Sequence, residues 1–440
     1  MRAKARRRRA VPVIASIAAL ALVLTACPAP DEEPVVDPDD LEGMTVTIMS
    51  PWADPEEEAG FLGSLEPWLE ETGAEISHEG SGDMETLVVT RVEAGNPPDI
   101  AMVPQPGLVA DLYELGEGLR DLSEVLDVDR FEAELIEGLF ELGVVDDILV
   151  GALFRLSLKS MVWYPQDAFE AAGYEEPGTW DELLALTDQI RDDGIAPWCL
   201  GIESGGATGW VATDWFEDIM LRTAGPEAYD DWVAGDLPFS SPEVTRAAEL
   251  FAEIAFTEGN VLETRAGIIT VPFGESPNAM FEDPPACMLH RQASFITSFF
   301  PEDIRADLDG QVGWFPFPEI DPDFGTPALI AGDQAILFTD NPAAESLVRF
   351  MASAEGVEGW AAVGGTLSPY IDLDPAVLPT ETDRLQQEFL AEASFARFDA
   401  SDMMPGAVGA GSFWVEVSRW INGDVDLETA LQNIDASWPS

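Results

Sequence analysis

The sequence predicts an α/β protein in which strands and helices alternate along most of its 440 residues. A strand-like run, MTVTIMS at residues 44–50, is followed by apolar residues at helical spacing over 56–71, and this alternation then recurs. Hydrophobic residues make up 46% of the chain, so a chain of this length can bury two or three separate cores.

The first α/β region is predicted between residues 44 and 113. Its strands are expected at 44–50, 74–78 and 98–103, and its helices at 56–71, 83–94 and 107–113. This order is typical of a layered α/β domain rather than of an all-β sandwich.

A second α/β region begins near residue 149 and leads into a helical tail. Thr179 and Glu182 have the spacing of a capping box and predict a helix through Arg191. The other expected elements are strands at 149–154, 160–164 and 196–202, helices at 210–224 and from Pro242, and extended segments at 278–283 and 312–315. Helices are expected from Asn341, at 355–363, from Gln386, and at 411–421 and 427–434.

The first 26 residues have the pattern of a secretory signal peptide. Residues 1–9 are basic, 10–24 are almost wholly apolar, and Thr25 and Ala26 are small. The apolar run of about 15 residues is shorter than the ~20 needed to span a bilayer, which disfavours a permanent membrane helix. Leu24 to Cys27 reads Leu-Thr-Ala-Cys, which is similar to a bacterial lipobox and predicts lipidation of Cys27. The alternatives are a cysteine removed with an ordinary signal peptide or a free thiol.

Residues 27–43 are rich in proline and acidic residues and predict an extended tether between a lipid anchor and the folded chain. This arrangement predicts an extracytoplasmic protein held at the cell membrane. If the two remaining cysteines, Cys199 and Cys287, lie in an oxidising compartment, they can form one disulfide; two buried free thiols are the alternative.

The chain is strongly acidic. Residues 1–26 contain six basic and no acidic residues, so the remainder carries 15 Lys and Arg against 83 Asp and Glu, a formal charge near −68. Nucleic acid is therefore excluded as a partner, because two polyanions repel each other. Such a surface suits solubility in a saline medium, and a site for a cationic ligand is the alternative. Lys159 is the only lysine after residue 26.

The usual signatures of enzymes, metals and cofactors are absent. His78 and His290 are the only histidines, and the sequence contains no G-x-S-x-G, H-E-x-x-H, C-x-x-C or Walker motif. We therefore predict no catalytic residue, no metal and no cofactor. A glycoside hydrolase remains the enzymatic alternative, because its two carboxylates could be any of the 83 acidic residues.

Tryptophan is abundant, with 13 residues, many of them next to polar or small residues in predicted loops. Sugars present C–H faces between rings of hydroxyls, so a sugar site combines flat aromatic side chains with planar polar ones. A single tryptophan is more often a core residue than a binding platform. Taken together, these residues favour a carbohydrate-binding site.

Four long segments resemble the solute-binding proteins of carbohydrate ABC importers, the family that includes maltose-binding protein. SMVWYPQDAFEAAGYEEPGTWDELLAL at 160–186 and MMPGAVGAGSFWVEVSRWINGDVDLETALQNI at 403–434 are similar to its crossing strand and closing helices. The segments at 197–239 and 283–296 resemble the α-glucoside-binding branch. In that branch the two cysteine-bearing segments occur together, which implies a Cys199–Cys287 disulfide.

The resemblance implies a two-lobed fold with the ligand in a cleft between the lobes and a hinge of crossing strands. The first lobe would comprise residues 44–155 and 312–355, the second 156–311, and a helical tail at 356–440 would pack across both. The expected function is that of a monomeric receptor that binds an α-glucoside or short oligosaccharide and delivers it to the transmembrane subunits of an importer. Another sugar, a polyol or a cationic osmolyte is the alternative ligand.

The resemblance also implies which residues bind the ligand. Trp52 and Asp54 follow the first strand, and Gln105 follows the third. Trp210, Asp214 and Trp215 open a helix where the family has an aromatic platform, and Arg291 or Gln292 replaces a stacking tryptophan. The remaining expected ligand residues are Gly332 and Asp333 in a glycine-containing segment, and Arg397, Asp402 and Trp414 in the tail.

Overall fold

The computed structural model describes residues 41–116 and 118–439. The signal peptide, Cys27 and nearly all of the tether lie outside the described residues. Within the described residues, no helix combines the length and hydrophobicity needed to cross a bilayer.

Two main sheets organise the strands. The strands are β1 Thr45–Ser50, β2 Glu75–Gly80, β3 Ile100–Val103, β4 Val144–Val145, β5 Ile148–Leu149, β6 Gly151–Leu158, β7 Met161–Pro165, β8 Ala196–Trp198, β9 Cys287–Arg291, β10 Val312–Pro316, β11 Ala328–Leu337 and β12 Ala396–Phe398. The first sheet has the order β2-β1-β3-β11-β6, with β12 beside the start of β11, and the second has the order β10-β7-β9-β8. β4 and β5 form a separate two-stranded hairpin.

Helices cover both sheets. They are α1 Pro55–Ser64, α2 Glu66–Thr72, α3 Met84–Glu93, α4 Pro106–Glu114, α5 Val128–Glu134, α6 Gln166–Ala172, α7 Trp180–Asp192, α8 Trp210–Thr223, α9 Gly225–Val233, α10 Pro242–Ala255, α11 Glu302–Arg305, α12 Leu308–Gln311, α13 Pro342–Met351, α14 Ala354–Ala361, α15 Glu381–Glu392, α16 Ala400–Met403, α17 Trp414–Asn422 and α18 Leu427–Asp435. Short 3-10 helices lie at Leu122–Glu124, Phe140–Gly143, Gly205–Ala207, Ile268–Thr270, Ser276–Phe281, Ser294–Phe299 and Pro375–Val377, and a π-helix at Ala407–Phe413.

Each main sheet carries its own hydrophobic core. In the first, Val46 and Ile48 of β1 pack on one face with Phe61 and Leu347, while Met49 packs on the other. The second sheet packs against α8 and α10 in a cluster that also contains α17 and α18 residues. We call the first sheet with its helices the first lobe and the second sheet with its helices the second lobe.

Before the tail, the chain crosses between the lobes twice. β6 pairs along β11 in the first sheet and continues through Lys159 and Ser160 into β7 of the second. The chain returns from β10 to β11 through residues 317–327. β10 pairs antiparallel with β7 over Val312–Pro316, so this strand belongs to the second lobe, and the expected boundary at 312 is corrected to a position after 316.

The segment after α13 contacts both lobes. Trp360 of α14 lies in the first-lobe core, whereas Trp420 and Leu431 lie in the second-lobe core. The Gly406 N–H donates to Asp111 of α4 at 2.8 Å, and the Tyr229 hydroxyl of α9 donates to the Phe398 carbonyl at 2.9 Å.

Several local predictions can be compared directly with the structure. The Thr179 capping box is present, and α8 begins at the expected residue, Trp210. The expectation of extended chain at 278–283 is wrong, because Ser276–Phe281 forms a 3-10 helix. Cys199 follows β8 and Cys287 begins β9; the two form a disulfide, with Cα atoms 5.5 Å apart.

Candidate functional site

A cavity of about 170 Å³ lies between the two lobes. It is bordered by the loops after β1, β2 and β3, by β6 and β11, by residues near the start of α8, and by the tail. Its lining residues are Pro51, Trp52, Glu57, Gly82, Glu85, Pro104, Gln105, Arg155, Ser157, Lys159, Ser204, Ala207, Trp210, Phe273, Phe295, Ala331, Gly332, Asp333, Asp402 and Trp414.

Strand alternation explains how β6 and β11 shape this cavity. Successive side chains of a strand point to opposite faces. Arg155 and Ser157 of β6 therefore face the cavity, while Leu156 borders a second, larger cavity of about 640 Å³ on the other face. On β11, Ala331 faces the first cavity and Ile330 the second.

The lobes are closed on one another, because direct contacts join them beside the cavity. Arg305 of the second lobe forms a two-point ion pair with Glu56 of the first, with Nη1–Oε2 at 3.0 Å and Nη2–Oε1 at 3.1 Å. The Gly206 N–H of the second lobe donates to Asp83 Oδ1 of the first at 3.0 Å. These contacts would have to break for the lobes to separate.

Aromatic side chains form much of the cavity wall. Trp210 packs edge-on against Phe273, with ring centroids 5.1 Å apart, and contacts Phe295 at 6.0 Å. The indole N–H of Trp414 donates to Ser401 Oγ at 3.1 Å, which fixes that ring. Flat rings held in this way offer faces on which an apolar surface of a ligand can stack.

The first-lobe side of the cavity contains a fixed cation. The Arg155 guanidinium lies 3.9 Å from the ring centroid of Trp360 and 4.9 Å from that of Trp52. Its Nε donates to Asp333 Oδ2 at 2.7 Å, and Nη2 lies 3.9 Å from Glu57. Because cation–π contacts and an ion pair both hold Arg155, its charge is balanced within the protein.

The second-lobe side contains a buried network of charges. Lys159 Nζ contacts Asp214 at 2.9 Å and also Asp399, and it lies 5.2 Å from the Trp210 ring centroid. Burial alone would lower the pKa of Lys159, but the two carboxylates raise it well above its ordinary value. Arg291 continues the network by pairing with Asp214 at 3.0 Å. Lys159 is therefore a permanent cation at the wall.

Three other carboxyl groups border the cavity, and burial raises the pKa of each. The pKa of Glu57 is raised from 4.5 to about 7, against the opposing effect of Arg155. The pKa of Glu85 is raised by burial, although its side chain accepts a hydrogen bond from Gln105 at 3.2 Å. Burial and the neighbouring Asp399 raise the pKa of Asp402 well above its ordinary value. Protonated carboxyls can both donate and accept hydrogen bonds, as can sugar hydroxyls.

The structure brings seven of the expected ligand residues together at the cavity. They come from five separate parts of the chain and from both lobes and the tail: Trp52, Gln105, Trp210, Gly332, Asp333, Asp402 and Trp414. A buried oxygen of Gln105, Oε1, has no partner among the described residues and is available to a ligand.

The other six expected ligand residues lie elsewhere. Asp54 caps α1 by accepting from the Glu56 N–H at 2.9 Å, and Trp215 lies in the second-lobe core 5.2 Å from Trp198. Arg397 is paired with Asp230 at 2.6 Å beside the larger cavity. The remaining three, Asp214, Arg291 and Gln292, are fully buried behind the wall.

Sequence reasoning missed several lining residues. Arg155, Ser157 and Lys159 lie on or directly after β6, and Glu57 and Glu85 lie in the first turns of α1 and α3. One signal was available, because Lys159 is the only lysine after residue 26. The acidic residues gave no signal among 83 similar ones.

A possible metal site is already filled by a protein cation. Ligand atoms of Asp214, Glu217 and Asp399 lie within 4.8 Å of one another. Lys159 Nζ contacts two of these three carboxylates, so it supplies the positive charge that a metal ion would bring.

The two histidines have structural roles. His78 bonds Ser50 Oγ at 2.8 Å through Nε2 and Glu58 at 2.9 Å through Nδ1, an order that is similar to a Ser-His-Glu triad. Ser50 is fully buried, and its Oγ accepts the Trp52 N–H at 3.2 Å, so a substrate cannot reach it. His290 is also buried, which lowers its pKa to about 4, and its Nδ1 lies 2.9 Å from the Cys199 carbonyl.

Two lobes closed around a small cavity, with aromatic walls and internally balanced charges, define a receptor that encloses a solute. The family model for bacterial extracellular solute-binding protein matches residues 70–358. The chain belongs to this family.

Two relatives match along nearly the whole chain. The "Osmoprotective compounds-binding protein GgtB" of Synechocystis sp. is 42% identical over 418 residues, which cover 95% of this chain and 97% of that protein. The "Alpha-glucosides-binding periplasmic protein AglE" of Rhizobium meliloti is 39% identical over 408 residues, which cover 91% of this chain and 88% of that protein.

Among solved structures, maltose-bound MalE3 of T. maritima has the same fold, with a TM-score of 0.70 and 20% identity, covering 90% of this chain and 98% of that one. The predicted family and the two-lobed α/β fold are thereby confirmed. The protein is a solute-binding receptor for an ABC importer, in a sugar-binding family whose members act outside the cytoplasm, and it is not an enzyme.

Proposed function

We propose that this receptor binds an α-glucoside no larger than a short oligosaccharide and delivers it to the transmembrane subunits of its importer. The observation that carries the proposal is the small cavity between the lobes, where Trp210 and Trp414 meet polar side chains from both lobes.

The two relatives support one ligand class between them. One is named for α-glucosides and the other for osmoprotective compounds. Trehalose and sucrose belong to both descriptions, because each is a disaccharide with an α-glucosyl unit and each acts as an osmoprotectant. We therefore favour a non-reducing α-glucosyl disaccharide.

The charges at the wall disfavour a cationic osmolyte. Lys159 lies over the ring of Trp210, where a quaternary ammonium group would otherwise stack. Arg155 occupies the equivalent place over Trp52 and Trp360. A second cation could stack on these ring faces only by displacing the side chain that already lies there.

Hydrogen-bonding groups also suit an uncharged ligand. Gln105 offers an unpartnered oxygen, and Ser157 and Ser204 offer hydroxyls. A ligand with many hydroxyls can satisfy these groups without bringing a net charge into the closed cleft.

The experiment is a thermal-shift and tryptophan-fluorescence screen, followed by titration calorimetry. The panel contains trehalose, sucrose, maltose, a longer maltooligosaccharide and glycine betaine. A ligand at 100 times its Kd should raise the unfolding free energy by about 2.7 kcal/mol. We expect one of the disaccharides to do so. Binding of betaine alone, or hydrolysis of any sugar, would refute the proposal.

We also propose that the receptor acts as a monomer anchored through a lipid on Cys27, with residues 27–43 as its tether. The lipobox-like Leu24 to Cys27 supports this proposal. Mass spectrometry of the membrane fraction tests it, because a Cys27→Ser variant should lose the lipid mass and appear in the soluble fraction.

A further inference from the structure

The second lobe holds more buried carboxyl groups than buried cations beside the cavity. Three cations, Lys159, Arg291 and Arg222, are each less than a tenth exposed. They pair with three carboxylates of equal burial, which are Asp214, Asp218 and Asp399. Positive and negative charges in this set therefore balance.

Two further carboxyl groups, those of Asp402 and Glu217, lie in the same cluster without an ion pair to any described residue. Glu217 is fully buried, and one of its oxygens accepts the Ser401 N–H at 3.2 Å. Asp402 is 5% exposed, and its carboxyl oxygens receive no hydrogen bond from the described residues. Two unpaired buried negative charges would be costly, so both groups favour the protonated form.

Only one of these two carboxyls borders the cavity. Asp402 lines it, together with Trp414 and Lys159, whereas Glu217 does not. We propose that Asp402 is uncharged in the closed receptor and donates a hydrogen bond to a hydroxyl of the bound ligand, so that it selects an uncharged hydroxylated ligand. This inference rests on the proposed function and adds a specificity-determining residue to it.

The groups around Asp402 support its protonation. Lys159, between β6 and β7, is the cation that faces it, but Lys159 already contacts Asp214 of α8 and Asp399 of the tail. Asp214 and, from the first lobe, Glu85 add further negative charge near Asp402. Burial and Asp399 raise the pKa of Asp402 most strongly.

The test compares two substitutions at one position. Asp402→Asn keeps the size of the side chain and an N–H donor, whereas Asp402→Ala removes the donor. Titration calorimetry at pH 7 would use whichever of trehalose, sucrose and maltose binds the wild type. We expect Asp402→Asn to change Kd by less than about threefold and Asp402→Ala to weaken binding about tenfold or more.

Infrared spectroscopy supplies a readout that a packing role would not move. In the sugar complex of the wild type, the carbonyl stretching band of the protonated Asp402 carboxyl should be shifted by its hydrogen bond to the ligand. The same band should be missing in Asp402→Asn. Glu217→Gln is the matched control, because it should remove a different protonated carboxyl, one that does not border the cavity, and leave Kd unchanged.

The outcomes separate this inference from the proposed function. The inference is wrong if a sugar binds the wild type but Asp402→Asn weakens its binding as much as Asp402→Ala does. It is also wrong if the infrared band of a protonated Asp402 is absent. Asp402 would then act as a charged acceptor or as a packing residue. If glycine betaine binds and no sugar does, the proposed function falls and this inference falls with it.

Discussion

Replacing Lys159 with methionine tests the central electrostatic feature of the cleft. The substitution keeps an unbranched side chain of nearly the same length and removes the ammonium group. Asp214 and Asp399 would then lose their shared cation, although both are buried and lie close together. Arg291 would still pair with Asp214, but no other ion pair with Asp399 exists among the described residues.

The magnitude follows from what remains after the change. Removing one partner of a buried ion pair costs about 3 to 5 kcal/mol, because the other charge is left without compensation. Lys159 serves two carboxylates, so we expect a loss of about 4 kcal/mol in the free energy of unfolding at pH 7. The loss should shrink as pH falls, because protonation of Asp399 removes the uncompensated charge.

The assay is urea denaturation at pH 7 and at pH 5, with tryptophan fluorescence as the readout of unfolding. Arg130→Met is the control, because Arg130 forms an exposed ion pair with Glu134 and its loss should change stability little. The double variant Lys159→Met with Asp399→Asn should recover at least about 2 kcal/mol of the loss. A loss below about 1 kcal/mol in Lys159→Met, or no recovery in the double variant, would refute the buried-pair reasoning.

Three further predictions concern other parts of the molecule. In Glu57 the pKa is raised from 4.5 to about 7, so the folded state holds a proton that the unfolded state releases, and stability falls as pH rises through this window. Between pH 4.5 and 8 the wild type should lose up to about 3 kcal/mol more unfolding free energy than Glu57→Gln in urea titrations, and parallel curves would contradict this. The Cys199–Cys287 bridge closes a span of 88 residues, so replacing both with serine should cost about 4 to 5 kcal/mol on the chain-entropy model while ligand Kd stays the same; calorimetry and denaturation check both parts. Arg305→Gln removes an exposed contact between the lobes to Glu56 and should speed ligand dissociation roughly twofold at low salt and not at 1 M salt, as stopped-flow fluorescence would reveal.

The elements with local signals were the ones that the sequence predicted well. α7 has a capping box, and α8, α10 and the first three strands have clear periodicity, so their positions follow from short-range chemistry. The prediction of an extended chain at 278–283 was wrong, because apolar residues next to a proline-rich stretch are compatible with both an extended chain and a 3-10 helix. β10 was placed in the first lobe, which is wrong, because its pairing with β7 joins residues about 150 positions apart and periodicity does not report such pairing.

The site was predictable only in part, for a similar reason. Trp52, Gln105 and Trp414 could be expected at the cavity because the resemblance to the sugar-binding family implies ligand contacts at these positions. Asp214 and Arg291 are as polar as the residues that line the cavity. They lie behind its wall, however, because Arg291 donates a hydrogen bond to Asp214, although 77 positions separate the two residues in the sequence. Whether a charged residue meets the ligand or another residue depends on such long-range pairing, which periodicity does not report.

The burial of Lys159 has a practical consequence for attaching this receptor to other materials. Reagents that acylate amines need an accessible, unprotonated nitrogen, and Lys159 Nζ is enclosed between two carboxylates. A chain produced from residue 28 onward contains no other lysine, so its terminal amine is the one remaining target. A dye or a sensor surface coupled there would join the protein at a single defined point and leave the residues of the cavity unmodified.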